Sequence, residues 1–240
     1  MNNNNQKISL TIDGVEVEGK PGQTILEAAE AAAVYIPRLC WMKNLTAAGS
    51  CRVCSVRANG RVQSACTQPI GPGMVVENDT EELRELRRNL IDMLFVEGNH
   101  FCMFCEKSGE CELQALAYRF GITAPKYPFM FPQRDLDASH PEIFVDRNRC
   151  ILCGRCVRAS RELDGKHVFG FVGRGTTKRV AVNAPDNLAQ TDAEADDQAV
   201  AACPTGSLLV KRVGYAVPVG QRKFDHSPIG SEIESSDVQD

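Results

Sequence analysis

No run in this 240-residue chain approaches the roughly 20 apolar residues that a membrane helix needs; the longest, such as Met93-Leu94-Phe95-Val96, are far shorter. No bilayer span is expected. Nor is there a basic tract: 27 Lys and Arg stand against 31 Asp and Glu, for a net charge of -4, so no phosphate-neutralising surface for nucleic acid is expected. Met1, four asparagines and Gln6 offer neither the positive start nor the apolar segment of a secretory signal, which makes the cytoplasm the expected compartment. Catalytic signatures are missing too. No strand leads into G-x-G-x-x-G, and no G-x4-G-K-[ST], G-x-S-x-G or H-E-x-x-H occurs. Gly170, Gly173 and Gly175 fit a strand and turn better than a dinucleotide loop. The chain therefore carries no recognisable site of its own for NAD, flavin or a hydrolytic substrate.

What it does carry is 11 cysteines in a composition that is otherwise globular, 43% hydrophobic. A reducing compartment keeps thiols out of structural disulfides and leaves metal binding or catalysis as their use. Their spacing depends on the elements that bear them.

Ile8, Leu10 and Ile12 alternate with polar residues, Asp13-Gly14 supplies a tight turn, and Val15 to Val17 resumes the pattern: a hairpin. Thr24 and Glu27 have the spacing of a capping box for an Ala-rich helix that reaches Ala33 and ends before Pro37. A second hairpin, residues 52–57 and 61–65, flanks Asn59-Gly60. Residues 1–78 thus read as a β-grasp domain around four cysteines. Asp79 and Glu82 can cap a helix burying Leu83, Leu86, Leu90 and Leu94, and a second helix runs from about Glu112 to Phe120 and stops at Gly121, so residues 79–121 read as a small helical domain. Pro125, Pro128 and Pro132 mark an extended linker over 122–140. Residues 141–215 form a third, ferredoxin-like α+β unit, with strands at 167–172, 178–182 and 207–211 and an acidic helix from Asp192. The tail, 216–240, becomes polar and acidic beyond about Asp225 and is expected to be mobile or to serve a partner. The fold class is α+β throughout.

Cys40, Cys51, Cys54 and Cys66 form C-x10-C-x2-C-x11-C, with the central pair on the loop entering a hairpin. Four thiolates can hold a 2Fe-2S cluster, and four thiolates also suit structural zinc. His100, Cys102, Cys105 and Cys111 make H-x-C-x2-C-x5-C. Three cysteines cannot complete a 4Fe-4S cubane with thiolates alone, so a fourth ligand is required and His100 is the candidate; its alternative role is to bond backbone carbonyls at a helix end. Cys150, Cys153 and Cys156 form C-x2-C-x2-C, and the remote Cys203-Pro204 closes a second 4Fe-4S set in the manner of bacterial-type ferredoxins. Arg147, Arg149, Arg155 and Arg158 can offset the negative charge of that site, or form a solvated face. The 11 cysteines divide four, three and four, leaving none for a nucleophile or a disulfide.

These residues resemble the N-terminal iron-sulfur region of the large subunit of respiratory NADH dehydrogenase and its relatives in hydrogenases and formate dehydrogenases. CMFCEKSGECELQ at 102–114 is similar to that family's motif of one histidine and three cysteines, and Cys150 to Cys156 with Cys203 is similar to its following cubane. EGNHFC at 97–102, where only Phe101 separates His100 from Cys102, and KRVGY at 211–215 are similar to the small diaphorase subunit of cytoplasmic NAD-reducing nickel-iron hydrogenases. That resemblance implies an electron-transfer subunit with one 2Fe-2S and two 4Fe-4S clusters. Its implied partners are a flavoprotein diaphorase that carries FMN and reduces NAD, and the small and large nickel-iron hydrogenase subunits. It also implies that the 2Fe-2S domain faces the flavoprotein and the histidine-bearing site the hydrogenase. The alternative is the equivalent subunit of an NAD-linked formate dehydrogenase or NADH dehydrogenase complex.

Overall fold

In the computed structural model residues 7–235 are described; the asparagine-rich segment read above for a signal lies outside them. Strands β1 (Ile8–Ile12) and β2 (Val15–Gly19) pair antiparallel across Asp13 and Gly14, whose φ of 50° and 82° supply the left-handed turn that matches strand twist. Helix α1 (Ile25–Ala31) starts at the expected capping box, in which the Glu27 carboxylate accepts the Thr24 N–H at 2.8 Å. Strands β3 (Ser55–Ala58) and β4 (Arg61–Ser64) form the second hairpin. A strand that pattern reading did not find, β5 (Met74–Glu77), lies between them and β1, parallel to β1. Its alternation of buried Met74 and Val76 with exposed Val75 and Glu77 is only four residues long and follows a Gly-Pro-Gly turn. The sheet order β2-β1-β5-β3-β4 with α1 packed across it is the β-grasp. Its core includes Ile12, Ile25, Leu26, Val56 and Val76, each at most 1% exposed and contributing about 1.5–3 kcal/mol by burial.

Helix α2 (Glu81–Val96) departs from expectation at its cap and on its face. Thr80, not Asp79, is the N-cap: its hydroxyl accepts the Leu83 N–H at 3.3 Å, while Asp79 is drawn off by Arg84 at 2.6 Å. The buried face is Leu83, Arg87, Ile91, Asp92 and Val96, with Leu86, Leu90 and Leu94 only half-buried. Arg87 can be buried because it donates to the carbonyls of Val53, Ser55 and Asn78, tying α2 to the cysteine hairpin; burial lowers its pKa to about 10. Helix α3 (Glu112–Arg119) ends at Phe120, with Gly121 at φ 68° as expected.

The proline-bearing segment runs extended along α2, where the Lys126 and Met130 amides bond Asp92 and the Val96 carbonyl, each at 3.0 Å. It ends in β6 (Leu136–Asp137), the edge of an antiparallel sheet with β7 (Ile143–Asp146) and β10 (Leu208–Val210). Between them come α4 (Arg155–Glu162), the hairpin of β8 (Phe169–Val172) and β9 (Arg179–Val182), and α5 (Gln198–Ala201).

Two expectations fail here. The acidic helix does not begin at Asp192 but at Gln198, because its first amides are capped from outside by Asp164 at 2.9 and 3.0 Å, while Glu194 and Asp197 are held by Lys166. The tail is not free as far as residue 235. Helix α6 (Ser231–Glu234) folds back, Ile229 and Ile233 enter a core shared with Tyr35, Ile91 and Leu116, and Glu234 pairs with Arg119. Apolar residues at 229 and 233, inside a polar sequence, are enough to anchor one turn.

Candidate metal centres

The loop from Cys40 and the strands β3 and β4 bring Cys40, Cys51, Cys54 and Cys66 together. The Cys40 amide donates to Cys51 Sγ at 3.4 Å, the Cys40 thiol meets those of Cys51 and Cys66, and Cys66 meets Cys54. These mutual hydrogen bonds hold the Cys40 thiol far below the ordinary range and Cys54 at about 7, and push Cys51 and Cys66 up. These contacts link the sulfurs in the order Cys51, Cys40, Cys66, Cys54. Zinc with bonds near 2.3 Å would need its sulfurs about 3.8 Å apart. Among the described residues no three cysteine sulfurs lie within 4.8 Å of one another, a spacing that fits the separated corners of a polynuclear cluster.

Cys102, Cys105 and Cys111 lie within electrostatic range of one another. Burial pushes Cys102 up and Cys111 to about 12, while the amides of Leu113 and Gln114 at the start of α3 point at the Cys111 sulfur. Arg149 donates to Cys105 Sγ at 3.6 Å and also faces His100. His100 packs edge-on against Phe95 with ring centroids 5.4 Å apart. The ring donates to the Leu94 carbonyl, yet its buried Nε2 has no hydrogen-bond partner. Burial, then the Arg149 charge, lowers its pKa to about 4, so the imidazole is neutral and Nε2 presents a lone pair. A shielded, neutral nitrogen with no hydrogen-bond partner has the chemistry of a metal ligand, and the ring lies close to Gly98, where an added Cβ would stand 2.6 Å from Nε2.

Cys150, Cys153, Cys156 and Cys203 line one pocket, walled by apolar residues such as Val145, Phe169 and Leu208. Leu152 and Gly154, at φ 53° and 69°, curl the C-x2-C-x2-C loop so that the amides of Leu152, Arg155 and Val157 point at the sulfurs of Cys150, Cys153 and Cys156. Burial raises all three thiols, Cys153 to about 12, so a cation is needed to hold them as thiolates, and loading iron here releases protons. The donor set, the dry walls and the inward amides fit a cubane.

Sequence reasoning underrated the arginines. Arg149, Arg155 and Arg158 are neither a solvated face nor confined to their own loop. Arg149 also pairs with Glu106 at 2.6 Å and Asp146 at 2.9 Å, Arg155 clasps Glu112 with two bonds of 2.7 Å, and Arg158 reaches the Cys40 carbonyl. Arg147 bonds the Val180 carbonyl at 2.8 Å. The available signal was the interleaving of Arg with Cys in RCILCGRCVR, which is unusual for a surface helix. The acidic group Glu194, Asp196 and Asp197 brings its oxygens within 4.8 Å, but Lys166 already pairs with Glu194 and Asp197.

Fold and sites together define a modular iron-sulfur protein: a 2Fe-2S β-grasp unit, a small 4Fe-4S unit and a ferredoxin-like 4Fe-4S unit, in that order. Three family profiles match in the same order: a 2Fe-2S iron-sulfur cluster binding domain over residues 5–81, the NADH-ubiquinone oxidoreductase-G iron-sulfur binding region over 87–126, and the ferredoxin-like domain of NADH-quinone oxidoreductase subunit 3 over 140–209. The chain is 42% identical to the gamma subunit of the NAD-reducing hydrogenase HoxS of Cupriavidus necator, across 91% of this chain and 93% of that one. It is 32% identical to the mitochondrial 78 kDa subunit of NADH-ubiquinone oxidoreductase of Candida albicans, spanning 29% of that longer protein. A crystal structure of an H2-reduced NAD+-reducing [NiFe]-hydrogenase contains a chain that superposes with a TM-score of 0.90 at 49% identity, covering 92% of this chain and 94% of that one. The chain belongs to the family of NAD-reducing hydrogenase gamma subunits. No helix among the described residues is long and apolar enough to cross a membrane.

Proposed function

We propose that this chain is the electron-transfer subunit of a cytoplasmic hydrogen:NAD+ oxidoreductase, linking a nickel-iron hydrogenase pair to a flavoprotein diaphorase that holds FMN and binds NAD. The ligand sets are Cys40, Cys51, Cys54 and Cys66 for one 2Fe-2S cluster; His100, Cys102, Cys105 and Cys111 for one 4Fe-4S cluster; and Cys150, Cys153, Cys156 and Cys203 for a second. The modules span 1–78, 79–121 and 141–215, with a linker at 122–140 and a tail from 216. The observation that carries this reading is the convergence of all 11 cysteines into three sulfur-lined sites; the central set has three thiols, and His100, with its buried and unpartnered Nε2, is the residue we assign as its fourth ligand.

When bound, the clusters supply reversible one-electron storage without proton transfer. The chain's residues do the rest. The apolar walls around Cys153 and Cys156 exclude water, inward amides and Arg149 donate to sulfur, and neutral His100 replaces a negative thiolate, which favours a higher potential at the central site. Exposed Phe101, Met103 and Phe104 surround the central cysteines, with the Tyr215 hydroxyl donating to the Phe104 carbonyl at 2.6 Å. That apolar rim supports placing the hydrogenase at this end, as the family resemblance implies. Identity across nearly the whole gamma subunit favours the hydrogenase over the formate or NADH dehydrogenase alternative. In the native assembly, Cys153→Ser is expected to abolish one cubane signal in low-temperature EPR and stop NAD reduction by H2, while dye reduction by H2 continues. Unchanged H2-to-NAD rates would refute the assignment.

A further inference from the structure

Arg158 is 8% exposed and lies between two of the cysteine sites. Its Nη2 donates to the Cys40 carbonyl at 2.5 Å and to the Cys153 carbonyl at 3.2 Å; Nη1 donates to the Thr46 carbonyl and Nε to that of Gly154 at 3.1 Å. All four acceptors are neutral. Among the described residues no carboxylate lies within ion-pair distance: Glu162, one turn along α4, gives its oxygens to the Thr46 amide at 2.8 Å and to Arg161 at 2.5 Å. Arg149 and Arg155 differ, since both are paired with carboxylates. A buried guanidinium with no carboxylate is unfavourable unless other negative charge surrounds it. The ligand sets that contain Cys40 and Cys153, whose carbonyls it bonds, would supply that charge as thiolates and clusters.

We propose that Arg158 is the shared counter-charge of the 2Fe-2S site and the Cys150–Cys203 cubane site, a positioning residue that raises the reduction potential of both. The inference rests on the ligand assignment above. Each site becomes more negative when it gains an electron, and a cation fixed in a low-dielectric interior stabilises that reduced state. Because one nitrogen bonds both carbonyls, Arg158 also makes a continuous hydrogen-bonded connection between these two sites, which are not neighbours in sequence.

The test is an EPR-monitored redox titration of the native assembly carrying Arg158→Gln, Arg158→Lys, or the exposed control Arg161→Gln, with iron measured in each. Arg158→Gln is expected to move both midpoints to more negative potential at unchanged iron content, Arg158→Lys to keep both close to wild type, and Arg161→Gln to move neither. Unmoved midpoints in Arg158→Gln, or a shift at only one site, would overturn the proposal. If Arg158→Gln loses iron, Arg158→Lys decides, because it keeps the charge: retained clusters at wild-type midpoints support the proposal, and shifted midpoints or lost clusters contradict it. A wild-type assembly lacking either signal would overturn the ligand assignment instead.

Discussion

His100 and Gly206 each make the central site through a single atom or its lack. His100 Nε2 is shielded and unpartnered, and His100→Ala removes its lone pair together with the ring that packs on Phe95. The expected result is loss of up to about four iron atoms per chain, with the EPR signal of the central cubane lost or altered. His100→Cys is expected to keep the iron and lower that site's potential, since a thiolate adds negative charge where imidazole had none. An unaltered spectrum and potential in both variants would mean that His100 is not the fourth ligand. At Gly206 an added Cβ would stand 2.5 Å from Cys105 Sγ. Gly206→Ala is therefore expected to displace that sulfur, costing about 1–3 kcal/mol by overpacking and depleting iron at the central site only. Denaturant midpoints and iron content read the two effects separately.

Among the elements, α3 and α4 are joined by a charged pair that no local pattern announces. Glu112 begins α3 directly after Cys111, Arg155 begins α4 between Cys153 and Cys156, and the Glu112 amide donates to the Pro204 carbonyl at 2.9 Å beside Cys203. Glu112→Ala would strand Arg155, which is 5% exposed, and is expected to cost about 3 kcal/mol; this is the low end for a broken buried pair, because Glu112 is partly solvated. Glu112→Leu with Arg155→Met is expected to recover most of that loss in urea unfolding. The elements themselves were largely legible. The Asp13-Gly14 and Asn59-Gly60 turns, the Thr24 capping box and the Gly121 stop are local chemistry that a sequence carries on its face. What escaped was non-local. β5 takes its strand identity from pairing with β1, Arg87 turned the buried face of α2 by bonding carbonyls of another module, and Asp164 fixed the start of α5 from outside. Likewise Ile229 and Ile233 dock only because Tyr35 and α3 offer a surface.

For the whole molecule, cysteine spacing revealed which residues gather but not how the three sites stand to one another. The ferredoxin-like module, last in sequence, contacts both others: Arg158 reaches the Cys40 loop, and Arg149 and Arg155 reach the central site. Leu45 of the first module also enters its core. Chain order is therefore not spatial order, and the interleaved arginines that set this arrangement resemble ordinary surface charge in a linear reading.

The most direct test of the account is iron, acid-labile sulfide and zinc measured on this chain separated anaerobically from its native assembly. The account predicts about 10 iron atoms per chain, from one 2Fe-2S and two 4Fe-4S clusters, with matching sulfide and no stoichiometric zinc. Zinc in place of iron at any of the three sites, or iron without sulfide, would contradict it.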